Sequence, residues 1–376
     1  MAVENQESKI ESRKSDKPRI IAFEVTRRCQ FNCLHCRAAA GADKAEELTT
    51  EQCSKILASV ADFVGNSDST ATSSAQLNIR DASPKRSCLI ILTGGEPMER
   101  DDIYELVRHG CQLGLRMVMA SCGYLIDNKS IAKLKEAGVS ALSFSLDGCS
   151  AETHDWFRQT EGAFDAVIRA AEIAGRNGMS FQINTTISRV NIDEVAGIAE
   201  LAKRLGAHCF NAFILVPTGR GQNMADAILD PVQYEVLLNE LLGLKLESGI
   251  EVRVTCGPQF ARVCEQTRAK KLINGVSGCM GGRGFGFISY TGDVQTCGFL
   301  DIPAGNLIKN GFDFAKIWRE SDFLNEIRNV SEYTGCCSFC DFLSVCGGCR
   351  ARAYAICGDY LAADPICKYK AGTADS

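Results

Sequence analysis

Six short apolar runs, separated by amphipathic stretches of helix length, restrict this chain more than any other feature. Ile20–Val25, Leu89–Thr93, Leu115–Ala120, Ala141–Leu146, Phe181–Ile187 and Phe210–Val216 read as strands. Leu48–Val64, Asp102–Leu113, Lys129–Ala137, Phe164–Asn177 and Ile192–Leu205 read as the helices between them, and Pro231–Leu246 adds another. In the first helix Cys53, Ile56, Leu57, Val60 and Val64 share a face, and Thr49 with Gln52 forms a capping box. Strands with so little polar alternation are buried on both faces. They imply a parallel sheet covered by helices or closed as a barrel, with functional loops at the C-terminal strand ends. Residues 1–17 read as a disordered charged tail, and Asn66–Ser87, rich in Ser, Thr, Asn and Asp, as an inserted surface loop.

The 376 residues are 45% apolar and 23% charged, values of a soluble globular protein. No run is long enough to span a membrane, and the polar first nineteen residues predict no secretory signal. A net charge of −5 counts against non-specific nucleic-acid binding. The outlier is cysteine, at 20 residues. Without a secretory signal, so many thiols predict metal or redox chemistry in the cytoplasm rather than disulfides.

The thiols are clustered. Cys29, Cys33 and Cys36 directly follow the first strand, and eleven others lie between Cys256 and Cys367. Isolated cysteines such as Cys53 and Cys88 read as small buried hydrophobes. Three thiolates leave one iron of a [4Fe–4S] cube without a protein ligand, open to a substrate. Zinc is the alternative, but a closed zinc site wants four ligands, and His35 between two cysteines is badly placed to be the fourth. The C-terminal pattern is Cys279-x12-Gly292-x4-Cys297, then Cys337-x2-Cys340-x5-Cys346-x2-Cys349, then Cys367. Seven thiols are more than one zinc needs; one or two structural zincs stay open beside two further iron–sulfur clusters.

The C-x3-C-x2-C loop after strand one resembles the signature of radical SAM enzymes, and the C-terminal cysteines resemble their SPASM extension. The resemblance implies a partial (β/α)6 TIM barrel at residues 18–235, a helical bridge at 236–275 and an auxiliary-cluster domain at 276–376. It implies that Cys29, Cys33 and Cys36 hold a [4Fe–4S] cluster that binds S-adenosylmethionine (AdoMet), with His35 by the adenine. Gly94, Gly95, Glu96 and Pro97 look like the element that binds the methionyl amine. Ser145 and Asp147 resemble the family's SLDG segment near the ribose and carboxylate. Arg158 looks like the arginine that pairs with the carboxylate, and Asn184 and Val216 stand where relatives hold ribose and adenine. The departure at Ser121-Cys122-Gly123, where relatives often have Thr-Asn-Gly, leaves a role for Cys122 open.

By the same resemblance Cys337, Cys340, Cys346 and Cys367 hold one auxiliary cluster, and Cys279, Cys297 and Cys349 the other. The second set is one ligand short. Cys256 or Cys264 could fill the gap, or one iron could stay open; Cys336 and Cys357 have no assigned role. Ser143–Gly148, Phe213–Gly221, Gly286–Leu300 and Cys346–Cys367 are most similar to the heme synthases within the superfamily. That implies iron-coproporphyrin III as substrate, a 5′-deoxyadenosyl radical that takes hydrogen from a propionate β-carbon, and vinyl groups after loss of carbon dioxide and one electron. Two such rounds give heme b, with a low-potential donor such as ferredoxin or flavodoxin as partner. Arg220, Arg283, Arg350 and Arg352 are candidate carboxylate partners, each otherwise an ordinary surface charge. Of the four histidines, His35, His109, His154 and His208, His154 is the favoured axial iron ligand and His109 is expected to face solvent. The alternatives are a maturase of a ribosomal peptide, a sister tetrapyrrole enzyme of siroheme-derivative or heme d1 type, and a ferredoxin-like carrier. The carrier leaves the Gly-Gly-Glu-Pro and Ser-Leu-Asp-Gly loops unexplained.

Overall fold

The computed structural model describes residues 17–42, 46–65, 88–267 and 276–369. The expected tail, apart from Lys17, and the expected insertion at 66–87 lie outside the described residues.

Strands β1 (Ile20–Thr26), β2 (Leu89–Gly94), β3 (Arg116–Ser121), β4 (Leu142–Ser145), β5 (Phe181–Ile187) and β6 (Cys209–Ile214) lie side by side in chain order, all parallel. Helices α1 (Thr50–Gly65), α2 (Ile103–Gln112), α3 (Asn128–Ala137), α4 (Ala151–Arg158), α5 (Ala163–Arg176) and α6 (Val195–Arg204) connect them. Parallel strands need such crossovers, and these place every strand's C-terminal end on one rim. α1 buries Cys53, Ile56, Leu57, Val60 and Phe63, the stripe its periodicity requires. Its capping box forms as the sequence predicts, Thr49 N–H donating to Gln52 Oε1 at 2.8 Å and Gln52 N–H to Thr49 Oγ1 at 3.2 Å. β5 alternates buried and half-buried residues, so Gln182, Asn184 and Thr186 share one face.

The sheet continues beyond the six strands. α7 (Pro231–Glu247) is followed by β7 (Glu251–Thr255), which pairs with β6, so the segment expected as a helical bridge carries a strand as well as α7 and α8 (Gln259–Gln266). β7 was hard to read because it is short and lies at the sheet edge, burying Val252 while exposing Glu251 and Arg253. At the other end β8 (Phe285–Ile288) pairs parallel with β1, and β9 (Asp293–Gln295) and β10 (Gly305–Asn306) complete an antiparallel meander. The order β10-β9-β8-β1-β2-β3-β4-β5-β6-β7 has two free ends, an open partial barrel. α9 (Phe314–Glu320) and α10 (Asp322–Arg328) follow, and α11 (Arg350–Cys357) comes last. Gly286 makes room for Trp318 of α9; a Cβ there would sit 2.9 Å from the indole.

One arginine ties three elements beneath the rim. Arg100, buried, donates to Val25 O at 2.7 Å and Leu48 O at 3.0 Å, and its fork grips Asp102 at 2.8 and 2.6 Å. Asp102 also accepts from Thr50 Oγ1 at 2.6 Å. Burial would raise the Asp102 pKa, but the Arg100 fork and the Thr50 hydroxyl outweigh it and hold it below its ordinary 3.8. A carboxylate whose folded pKa is depressed adds stability above its unfolded pKa of about 3.9, and that stability is lost as pH falls through the folded value. Asp102→Asn is therefore expected to cost on the order of 1–2 kcal/mol at neutral pH. It should also flatten the acid side of the stability profile below about pH 4. Urea unfolding at a series of pH values checks both.

Candidate radical-initiation site and auxiliary thiol clusters

The loop after β1 carries Cys29, Cys33, His35 and Cys36 onto the C-terminal rim and is closed on itself. Cys29 N–H donates to Gly41 O at 2.8 Å and Gly41 N–H to Arg27 O at 3.1 Å. Arg220, in the loop after β6, clamps it: its N–H reaches Cys36 O at 2.9 Å, its Nε reaches Cys33 O at 2.9 Å, and its Nη1 reaches Ala40 O. The fit needs Gly219, at φ +57°, because a Cβ there would lie 2.2 Å from Arg37 O.

The Gly-Gly pair after β2 works the same way. A Cβ on Gly94 would lie 2.3 Å from Thr26 O, and one on Gly95 2.2 Å from Arg28 O. Gly95 and Glu96 N–H donate to Thr26 O and Arg28 O, each at 2.8 Å. The glycines thus admit the cysteine loop's own backbone, a use that the expectation of ligand contact alone had missed. Glu96, fully buried, accepts from Met98 N–H at 3.1 Å, Ser121 Oγ at 3.1 Å and Cys122 N–H at 2.7 Å. Burial pushes its pKa up against those bonds. It braces the β2 and β3 loops together, with Pro97 opening a short 3-10 turn.

β4 leads through Ser145 to Asp147, which is fully buried. Asp147 accepts from Thr186 N–H at 2.8 Å and pairs with Arg158 of α4; His35 Nε2 lies 3.5 Å away. Arg158 also reaches Cys33 Sγ at 3.6 Å. Both terminal nitrogens of the fork expected for a methionyl carboxylate thus have protein partners. His35 is edge-on to Phe157, and its pKa is lowered to about 4, by burial first and by the nearby Arg158 and Arg220, so it is neutral at pH 7. Asn184 accepts from Gln182 Nε2 at 2.8 Å and Asn211 Nδ2 at 3.4 Å. The Val216 side chain is buried with Leu300, Ile327 and Ala351 of the C-terminal half.

Cys122 joins this site. It packs with Cys29, Cys36 and Cys33, receives Gln30 Nε2 at 3.5 Å, and sits beside Glu96. Among the described residues no three Cys, His, Asp or Glu side chains are grouped to hold a single metal ion. The triad thiols nonetheless act on one another, and burial pushes Cys29 up to about 12. The donor set fits an iron–sulfur cluster with AdoMet. Three buried nitrogens here, His35 Nδ1, Arg158 Nε and Arg220 Nη2, have no hydrogen-bond partner among the described residues. Such groups cost about 1–3 kcal/mol each unless a ligand supplies the missing hydrogen-bond partners.

In the C-terminal half Cys337, Cys340, Cys346 and Cys367 ring one small cavity together with Cys336. Cys279 and Cys297 lie beside Cys349. The two sets meet where Cys279 N–H donates to Cys346 O at 3.0 Å, and a Cβ on Gly278 would sit 2.1 Å from that oxygen. Cys357, on α11, is exposed.

Five substrate candidates need correction. Arg283 is buried and donates to Ile327 O and Arg328 O at 3.2 and 3.1 Å. Arg350 is buried, reaches Ala362 O at 2.7 Å and stacks on Tyr333. Arg352 is fully buried and pairs with Asp364 through two bonds at 3.0 and 2.9 Å. With Arg220 these are internal clamps rather than surface charges. His154 is buried, its Nδ1 accepting from Asp147 N–H at 3.0 Å, and burial first, then Arg158, lowers its pKa to about 3. It holds the SLDG loop and is not presented to an iron. His109, expected in solvent, is half-buried with Nε2 3.3 Å from Ser54 O.

Two outcomes follow from this geometry. Asp147→Ala strands a buried guanidinium and should cost about 3–5 kcal/mol, with Asp147→Asn costing less, measured by anaerobic urea unfolding. Gly219→Ala should loosen the Arg220 clamp and lower AdoMet affinity at least tenfold, on the order of 1.4 kcal/mol or more, by equilibrium dialysis of the reconstituted protein.

The comparisons accord with this geometry. Residues 77–202 match the model of the radical SAM superfamily. The chain is 38% identical to the AdoMet-dependent heme synthase of Methanosarcina barkeri (strain Fusaro / DSM 804), over 95% of this chain and 98% of that one. It is also 38% identical to the AdoMet-dependent heme synthase of Nitratidesulfovibrio vulgaris Hildenborough, over 94% and 92%. Streptococcus suis SuiB bound to precursor peptide SuiA superposes with a TM-score of 0.72 at 14% identity, over 96% of this chain and 79% of that one, a likeness of fold. With nearly the full length of 38% identical relatives covered, the chain belongs to the radical SAM superfamily, in the family of the AdoMet-dependent heme synthases.

Proposed function

We propose that this radical SAM enzyme converts two propionates of iron-coproporphyrin III to vinyl groups, giving heme b. The observation that carries the reading is the full-length likeness to heme synthases, joined to an intact cysteine triad on the barrel rim. Cys29, Cys33 and Cys36 would hold the [4Fe–4S] cluster, which with AdoMet supplies a 5′-deoxyadenosyl radical.

The chain's own residues do the placing. Gly94 and Gly95 after β2 and Gly219 after β6 let two loops close on the cysteine loop, and Arg220 fixes that loop's carbonyls. Glu96, Pro97, Ser145, Asp147, Arg158, Asn184, His35 and the Val216 backbone are the AdoMet-facing set in this reading. Neutral His35 offers a flat ring to an adenine, and its unpartnered Nδ1 supports that role. Residues 18–235 form the core in this reading, 236–275 a bridge that also extends the sheet, and 276–376 the auxiliary-cluster region.

In each round the β-carbon loses a hydrogen atom to deoxyadenosyl, the bond to the carboxylate breaks, and carbon dioxide leaves with one electron surplus. Cys337, Cys340, Cys346 and Cys367, and Cys279, Cys297 and Cys349, would hold the clusters that accept it. The backbone bond from Cys279 to Cys346 ties those two sites together. A low-potential ferredoxin or flavodoxin would supply the initiating electron, and the cytoplasm suits a chain whose twenty cysteines are all free. Among the described residues no helix is long and apolar enough to cross a membrane.

The test is anaerobic reconstitution, reduction, and addition of AdoMet with iron-coproporphyrin III, followed by mass spectrometry. Two successive carbon dioxide losses, each matched by 5′-deoxyadenosine, are expected. Deoxyadenosine with an unchanged porphyrin would discard the substrate. No deoxyadenosine from fully loaded protein would discard the radical chemistry.

A further inference from the structure

The cluster set of Cys279, Cys297 and Cys349 is one ligand short, and three candidates could complete it: Cys256, Cys264, or an iron left open. We infer that Cys256, at the end of β7, is the fourth protein ligand, closing this cluster to substrate. The inference rests on the reading above that these cysteines hold an iron–sulfur cluster.

Packing carries the first part. Cys256 and Cys297 lie against buried Cys349 in one small apolar group with Val216, Leu300 and Ala351. Cys279 is held to the chain segment that carries Cys349, its N–H donating to Cys346 O at 3.0 Å. Three chain segments, at residues 256, 297 and 349, thus pack together, and residue 279 is bonded to the third of them.

The backbone carries the second part. Cys256 has φ +57°, the left-handed region that a non-glycine residue enters at a cost. Arg352 Nη2 holds it there, donating to Cys256 O at 2.9 Å. The same guanidinium grips Asp364, and Asp364 Oδ2 accepts from Cys349 N–H at 2.9 Å. One fully buried ion pair therefore fixes the main chain of Cys256 and Cys349 together. A cysteine serving as a mere apolar filler would need no such support.

Cys264 is excluded by its surroundings. It is buried on α8 in the main hydrophobic core, apart from the group that holds Cys256, Cys297 and Cys349. With four cysteines the cluster has no iron for a propionate or a water, so the surplus electron must reach it without a bond to the substrate.

The test begins from Cys29→Ala/Cys33→Ala/Cys36→Ala, the full-length chain without its radical-initiating cluster. Reconstituted, this background should hold about eight irons and eight sulfides, two cubes. Adding Cys256→Ala should remove about half of that iron, or convert one cube to a three-iron form with its own electron paramagnetic resonance signal. Adding Cys264→Ala should change neither. Unchanged iron and spectra in Cys256→Ala, or a loss in Cys264→Ala, would overturn the inference. Should Cys256→Ala fail to fold, cyanide added to the reduced background decides: an open iron would bind it and shift the resonance, overturning the inference, whereas four cysteine ligands leave the spectrum unchanged. A background that holds no iron would take down the auxiliary-cluster reading itself, and the inference with it. That result is distinguishable, because it precedes any change at Cys256.

Discussion

The architecture depends on backbone meeting backbone where no side chain can intervene. Three loops from β1, β2 and β6 converge on the barrel rim, and at Gly94, Gly95 and Gly219 an added Cβ would lie 2.2–2.3 Å from a neighbouring carbonyl oxygen. Cysteine ligands on a free loop would spread over many arrangements, each to be lost on loading a cofactor. Here the loop is fixed by main-chain bonds to Thr26, Arg28 and Gly41 and by the Arg220 clamp before any cofactor arrives. Pre-organisation of that kind lowers the ordering cost of binding.

Two buried ion pairs extend the same logic. Arg158 with Asp147 ties α4 to the β4 loop and to Cys33, while Arg352 with Asp364 ties α11 to β7 and to two cysteines. Buried pairs contribute little net stability, because desolvation offsets the attraction, yet breaking one is costly. Their value here is geometric: each fixes a direction for a cysteine-bearing segment. Arginines that look like substrate hooks in the sequence serve the frame, each through bonds to main-chain carbonyls or a buried carboxylate.

Most of the barrel was legible because six apolar strand runs alternate with helices whose apolar periodicity is clean, and the cysteine triad sits where a βα loop must be. The short elements were not. β7 has only five residues and buries Val252 alone fully, and α4 has eight, with Phe157 as its only buried large apolar side chain. Neither length supports a periodic signal. Charge roles were illegible for another reason. Nothing local distinguishes Arg352 from a surface arginine; its partner Asp364 is twelve residues on, and its burial comes from Leu215 and Cys256, far away in sequence. His154 misled in the same way, since its neighbour Asp147 supplies a main-chain donor rather than an open approach.

The buried thiols make loading and folding one problem. Burial pushes Cys29 and Cys297 up to about 12, so neither ionises alone near neutral pH. Only the charge of an arriving iron centre makes the thiolates favourable, with release of their protons. The side chains around them have already given up hydration, and unpartnered nitrogens on His35, Arg158, Arg220 and Arg350 show that the polypeptide alone does not satisfy these sites. Folding therefore stops at a frame whose last polar groups are satisfied by what it binds.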